Sequence, residues 1–227
     1  MKLATALLPQ KLAPRAQLDW HSHAEPYAAL VLAGGYAESG DGGRFLAEPG
    51  NVVIHPPFSA HADQVSASGA VVVNLPLRIA DSLTLRSGAV ADPEGVLRRY
   101  AEDPSSLDET LRASLTPMPM PDDLPDQLAA ALERPEAVGI ADWAVANAVS
   151  PRTVTRHFTA AFGIAPAHYR WRARVRAAWR SLVTTDLPLI TVAHDWGFAD
   201  QAHMSRSIRH LTSRPPSWWR KRAPLSD

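Results

Sequence analysis

The chain contains no cysteine. That excludes disulfide frameworks and thiolate metal sites, and it suits a reducing compartment. No apolar run approaches the roughly 20 residues of a membrane-spanning helix, so no membrane partner is expected. Lys2 and some apolar positions open the chain, but Pro9 interrupts them and no small-residue cleavage site follows. A secretory signal is therefore not expected, and the protein reads as cytoplasmic. Net charge is also absent at the level of the whole chain, with 23 Lys/Arg against 23 Asp/Glu. What is present is an ordinary apolar content of 46%, enough for a buried core and too much for global disorder. The length suits one or two domains.

The zero net charge hides an asymmetry. Residues 1–117 carry 9 basic and 13 acidic side chains, net −4, whereas residues 150–222 carry 13 and 3, net +10. A basic segment of this kind is the electrostatic footprint of a phosphate partner, or simply a solvated cationic surface. The same segment holds an internal repeat. At an offset of 50, Ser150 pairs with Asp200, Val154 with Met204, Arg156 with Arg206, Phe158 with Ile208, Pro166 with Pro216 and Tyr169 with Trp219. Upstream of the turn the offset is 49, pairing Ala148 with Gly197, so the second turn is one residue longer. Two copies are too few for a solenoid. They fit tandem duplication of a helix-turn-helix, a short helix and a tight turn before a second helix that reads DNA.

Seven helices are expected from Leu124 onward, at about 124–133, 139–147, 151–162, 166–184, 188–195, 201–211 and 216–222. Ser150-Pro151 supplies an N-cap followed by a proline at the first helical position, and Asp200 caps the sixth helix with a charge that suits its positive end. The fourth helix, at 1.5 Å per residue, is roughly 28 Å long, close to one DNA turn of about 34 Å. In the third helix Val154, Phe158 and Phe162 recur on one face, which leaves Arg152, Thr155, Arg156 and Thr159 on the other. In the sixth, Met204, Ile208 and Leu211 are expected inside, and Gln201, Ala202, His203, Arg206 and Arg209 outside. Arginine can pair bidentately with guanine and glutamine with adenine, while threonine and alanine can touch the thymine methyl. Arg170, Arg172, Arg174, Arg176 and Arg180 along the fourth helix cannot share one face, so some suit phosphate and others solvent.

The N-terminal part reads differently. Short apolar runs (Ala28–Leu32, Val52–Ile54 and Ala70–Leu75) alternate with Gly34-Gly35, Gly40-Asp41-Gly42-Gly43 and Pro49-Gly50, as in a small β-barrel or jelly roll. Pro56-Pro57 belongs at a strand end. Val96–Tyr100 and Leu107–Leu115 are candidate helices. Pro117-Met118-Pro119-Met120-Pro121 reads as a stiff extended spacer. The expected organisation is therefore an α+β chain of two domains: residues 1–116, a linker at 117–123, and an all-α domain at 124–222.

The residues Ser150-Pro151-Arg152-Thr153-Val154-Thr155-Arg156-His157-Phe158, Gly163-Ile164-Ala165-Pro166, Trp196-Gly197-Phe198-Ala199-Asp200, Ala202-His203-Met204-Ser205-Arg206, Pro216 and Trp219-Arg220 resemble the double helix-turn-helix domain of the AraC/XylS family of bacterial transcription regulators. The resemblance implies a transcription regulator rather than an enzyme, with promoter DNA as its partner and two recognition helices in successive major grooves. By the same resemblance, Arg152, Thr155, Arg156, Ala202, His203 and Arg206 approach bases; Thr153, the outward Gln201 and Arg209, and Arg220 on the last helix complete the candidate DNA-binding residues. Where the family usually has Phe-Gly this chain has Thr212-Ser213, which is expected to weaken that helix C-cap.

Residues 15–76 resemble the cupin-like sensor domain that often precedes such a unit, through Trp20-His21-Ser22-His23, Gly34-Gly35, Pro49-Gly50 and Ile54-His55-Pro56-Pro57-Phe58-Ser59-Ala60-His61. That resemblance implies a small-molecule effector and leaves open a homodimer and a contact with RNA polymerase. It also makes His21, His23 and His61 candidate ligands of a divalent metal such as Zn. Strand alternation puts the first two on one face, and neutral imidazoles suit a borderline metal. The glutamate expected after the second histidine is missing, because Tyr27 and Ala28 stand there. The histidines then hold a metal, line an effector pocket or serve the structure. A metal-sensing regulator and a cupin enzyme with a DNA-binding appendage are the alternative functions.

Overall fold

The computed structural model describes residues 8–136 and 139–222. They fall into two compact units, divided between Met120 and Pro121. Among the described residues no helix is long and apolar enough to cross a membrane.

Among its described residues the N-terminal unit is built on seven antiparallel strands: β1 (Gln10–Leu12), β2 (Gln17–Ser22), β3 (Tyr27–Gly40), β4 (Gly43–Ala47), β5 (Asn51–His55), β6 (Ala60–Pro76) and β7 (Gly88–Ala89). The order is β1-β6-β3-β5-β7, with β2 added on β6 and β4 on β3. Strands β3 and β6 are longer than the apolar runs suggested, and the Gly34-Gly35 pair expected to be a turn lies inside β3. It forms a bulge there, with the β3–β6 register shifting between Gly34 and Tyr36. A Cβ on Gly34 would stand 1.9 Å from the carbonyl oxygen of Gly69, so close backbone approach requires the glycine. The expected turns at Gly40–Gly43 and Pro49-Gly50 do join strands, and β5 ends at His55 just before Pro56-Pro57.

Alternation along β3 feeds two apolar layers. Ala28 and Leu30 pack with Val52, Ile54, Val73 and Leu75 against Val96, Tyr100, Leu107 and Leu111. The latter four come from α2 (Pro93–Glu102) and α3 (Leu107–Ser114). Ala29 and Val31 pack on the opposite face with Tyr36, Phe45, Val53, Val65 and Val72. Met118 joins this second layer and is buried. The proline-rich stretch is thus anchored to the sheet unit at its middle rather than being spacer throughout. The short helix α1 (Ile79–Ser82) follows β6.

The C-terminal unit has seven helices among its described residues: α4 (Leu124–Leu132), α5 (Ile140–Ala146), α6 (Pro151–Phe162), α7 (Pro166–Thr184), α8 (Leu189–Asp195), α9 (Gln201–Thr212) and α10 (Pro216–Arg220). Each lies within about two residues of its expected span. Helix α7 contributes to the packing of both halves. Tyr169, near its start, packs with Phe158 and Phe162 of α6 and Leu128 of α4. Trp179, further along, meets Trp219 of α10 edge-on at 5.4 Å.

Candidate nucleic-acid interface and histidine cluster

The two helix-turn-helix units, α5–α6 and α8–α9, share their local chemistry. The connecting turns cover residues 147–150 and 196–200, four and five residues long. The second residue of each turn is left-handed, Ala148 (φ 55°) in the first and Gly197 (φ 65°) in the second. Around each, two amides return to the preceding helix. Ala148 N donates to Val145 O and Val149 N to Ala144 O, while Gly197 N donates to His194 O and Phe198 N to Ala193 O. This pair of bonds is the Schellman C-cap. The N-caps follow: Ser150 Oγ accepts from Thr153 N at 3.1 Å, and Asp200 Oδ1 from His203 N at 2.6 Å.

A left-handed alanine is strained by about 1–2 kcal/mol, while glycine costs about 0.4–1 kcal/mol in unfolded-chain entropy. Ala148→Gly is therefore expected to stabilise the helical unit by about 0.5–1 kcal/mol. The reciprocal Gly197→Ala should destabilise it by a similar amount. A Cβ at 197 would meet nothing nearer than Arg174 Nη2 at 3.7 Å, so the cost there is conformational. Denaturant midpoints of the two variants moving in the same direction would refute this account of the turns.

The recognition faces divide as follows. Arg152, Thr155, Arg156 and Thr159 are exposed on α6, and Gln201, Ala202, Arg206 and Arg209 on α9, with His203 half-buried. Thr153 is tied into the cap, its hydroxyl 2.8 Å from Ser150 Oγ. The inward face of α9 consists of Met204, Ser207, Ile208 and Thr212, all buried, while Leu211, expected inside, is only half-buried. Thr212 replaces the buried Phe162 of the first unit. There, Phe158, Phe162 and Tyr169 form an aromatic trio with centroids 4.5–5.3 Å apart. In the second unit the Thr212 hydroxyl accepts from the Trp219 indole N–H at 2.9 Å and lies 2.8 Å from the Ile208 carbonyl. Ser213 takes the left-handed position (φ 58°) that Gly163 holds in the first unit. The C-cap expected to be weak at Thr212-Ser213 is thus formed, with a serine at the strained position and a buried hydroxyl bracing it.

Two arginines of the basic segment are structural ties. Arg174 donates through Nε to Trp196 O at 2.9 Å and through Nη2 to Gly197 O, and it lies 4.7 Å over the Phe198 ring. It holds the second turn against α7. Arg220 is half-buried and donates to Leu187 O at 2.8 Å, ahead of α8. Arg214 and Arg222 both stack on Trp218, at 5.2 and 4.2 Å.

The sheet unit gathers a second constellation. Register places His21 opposite His61, Tyr27 opposite His55, and Glu38 opposite Asp63. The rings of His21, His23 and His61 lie 4.3–5.8 Å apart, and those of His55 and His61 4.4 Å apart. His21, His23 and His61 thus converge, as do Glu38, His55 and His61, with the donor atoms of each trio within 4.8 Å of one another. Glu38 and His55 were not singled out from sequence. A carboxylate stands not at Tyr27 or Ala28, where β3 starts, but at Glu38 near the end of the same strand, and the exposed Glu25 is in neither trio.

Burial dominates the electrostatics. Desolvation, then the neighbouring histidines, holds the His55 pKa well below the usual range, and the same causes push His61 down to about 3. Both rings are therefore neutral at pH 7, with lone pairs available. Desolvation and the facing Asp63 carboxyl raise Glu38 well above the carboxylate range, and desolvation raises Asp63 to about 6. Separately, a shallow groove of about 390 Å³ opens at the β1–β6 edge, and none of the cluster residues lines it.

Comparison with known proteins bears on the helical unit. Residues 143–222 match a family model described as a helix-turn-helix domain. The chain is 37% identical over 84 residues to the transcriptional activator NphR of a Rhodococcus species, covering 37% of this chain and 25% of that protein. It is 32% identical over 82 residues to an AraC-like transcription regulator of Streptomyces lividans, covering 36% of this chain and 27% of that protein. The chain thus spans about a quarter of the length of the curated relatives it matches. A solved structure of the DNA-binding domain of AdpA in complex with a target DNA is 28% identical, with a TM-score of 0.42, covering 46% of this chain and all of that one.

Proposed function

We propose that this chain, whose C-terminal half belongs to the AraC/XylS family of helix-turn-helix domains, is a transcription regulator that binds promoter DNA through α6 and α9. The carrying observation is the duplicated exposed face: Arg156 on α6 and Arg206 on α9, 50 residues apart, each on a capped helix, joined by the 19-residue α7. The two helices enter successive major grooves. Arg152, Thr155, Arg156, Gln201, Ala202, His203, Arg206 and Arg209 supply the contacts, and the sheet unit senses an effector.

Arg206→Ala is the test. Its fork is of a kind that reads O6 and N7 of guanine, so the substitution is expected to cost about 1–3 kcal/mol on a selected site and to relax preference at one base pair. The readout is binding to single-base variants of a site enriched from a random duplex library. Uniform loss across that panel would remove α9 from the major groove. Arg220→Ala is the contrast. Because Arg220 is tied to Leu187 O, its loss should lower stability, unlike that of the exposed Arg206.

A further inference from the structure

We propose that the sheet unit binds one first-row divalent transition-metal ion through Glu38, His55 and His61, at the buried end of its histidine cluster. The three residues come from β3, β5 and β6, and all are buried, at 5%, 4% and 4% exposure. A tetrahedral ion with bonds of about 2.0–2.2 Å holds its donors roughly 3.3–3.6 Å apart. His55 Nε2 and Glu38 Oε2 stand 3.7 Å apart, too far for a hydrogen bond and close to the spacing of two ligands on one ion.

One buried nitrogen at this spot, His61 Nδ1, has no hydrogen-bond partner, while the facing Glu38 and Asp63 carboxyls lie within hydrogen-bonding reach of each other and can share one proton. An orphan such as His61 Nδ1 is rare in folded proteins, and a bound ion is one standing reason for it. Glu38 and Asp63 face each other across β3 and β6, so two carboxyl groups share one poorly solvated site. A divalent cation ligated by Glu38 would take the place of the proton that the two carboxyl groups otherwise share. The outer trio of His21, His23 and His61 has no carboxylate, and His23 is exposed. An ion held there would have its charge uncompensated by its ligands. Two imidazoles and a carboxylate are a donor set for Zn²⁺, Fe²⁺ or Co²⁺ rather than for Mg²⁺ or Ca²⁺.

Such an ion would tie three strands together, and as the effector it would act on the sheet unit directly. That regulatory role rests on the DNA-binding reading; the binding of the ion does not.

The experiment titrates chelator-treated full-length protein with Co²⁺, followed by its ligand-field absorption, and then with Zn²⁺ in competition. The melting temperature is recorded with and without Zn²⁺. The expected result is one ion per chain and a melting temperature that rises with Zn²⁺. Glu38→Gln, which keeps the side-chain shape, and His55→Phe should each weaken binding by about 100-fold or more, since even loss of a group supporting a ligand costs 10–100-fold. The His21→Ala/His23→Ala double variant should bind within a few-fold of wild type. Circular dichroism of the metal-free variants checks folding, and if His55→Phe does not fold, Glu38→Gln alone decides. The proposal is overturned if wild type shows no saturable binding, if Glu38→Gln binds like wild type, or if the double variant loses affinity as the inner variants do.

Discussion

Duplex affinity of the full-length protein is expected to fall about 1,000-fold between 50 and 200 mM monovalent salt. The basic segment holds 13 Lys/Arg, but not all are available to phosphate. Arg174 and Arg220 are committed to backbone carbonyls, and Arg214 and Arg222 are stacked on Trp218. Of the remaining nine, Arg170, Arg172 and Arg176 also have interactions of their own, which leaves roughly six cations for the DNA. Six contacts give a slope of log K against log salt near −5. Fluorescence anisotropy on a random-sequence duplex measures this without knowledge of the operator, because the electrostatic part of binding is independent of sequence. A slope shallower than about −2 would mean that the +10 segment does not track the DNA backbone, and the proposed interface would fail with it.

Phe158→Ala is expected to destabilise the helical unit by about 3–5 kcal/mol. Phe158 is fully buried and stacks on Phe162 at 4.5 Å, with Tyr169 edge-on at 5.3 Å. The layer includes Leu128 and Leu132 from α4, Val154 from α6 itself and Tyr169 from α7, so the side chain fills the junction of α4, α6 and α7. Neighbours drawn from three helices cannot all close on the space left behind, and the cavity adds to the lost burial. Domain stabilities of 5–15 kcal/mol leave little margin against such a loss. Val145→Ala, at a side chain 76% exposed, should change stability by no more than about 0.5 kcal/mol. Chemical denaturation followed by helical ellipticity compares the two. A Phe158→Ala cost below about 1 kcal/mol would mean that the α4–α6–α7 junction is not the core of this unit.

The repeat, the seven helices and the two capped recognition faces were legible in the chain because every signal for them is local. Val154, Phe158 and Phe162 mark a helical face within nine residues, Ser150-Pro151 and Asp200 mark helix starts, and the pairing of Ala148 with Gly197 already located two equivalent turns. Helical hydrogen bonds close over four residues, so a short window of sequence contains most of what decides them. Where a role depended on a distant partner, the window was too small. Arg174 looked like one more basic residue of α7 until Trp196 and Gly197, more than 20 residues away, proved to be what it holds. Thr212 looked like a lost phenylalanine until Trp219 brought its indole N–H to the hydroxyl.

The sheet unit shows the same limit more strongly. Its strand-forming runs and most of its turns could be read, but Gly34-Gly35 could not be recognised as a bulge, since glycine serves a turn and a close crossing equally well. The histidines at 21, 23 and 61 stood out as a motif. Glu38 and His55 did not, because nothing near them in sequence marks them. They meet His61 only through the antiparallel register that sets Glu38 against Asp63 and Gly40 against His61, and Tyr27 against His55. A shift of one residue in that register would turn the side chains of the shifted strand to the opposite face. The sequence by itself determined the identity and local form of the helical half. Only the tertiary structure decided which buried polar groups of the sheet half meet, because strand pairing joins residues that carry no local signal of one another.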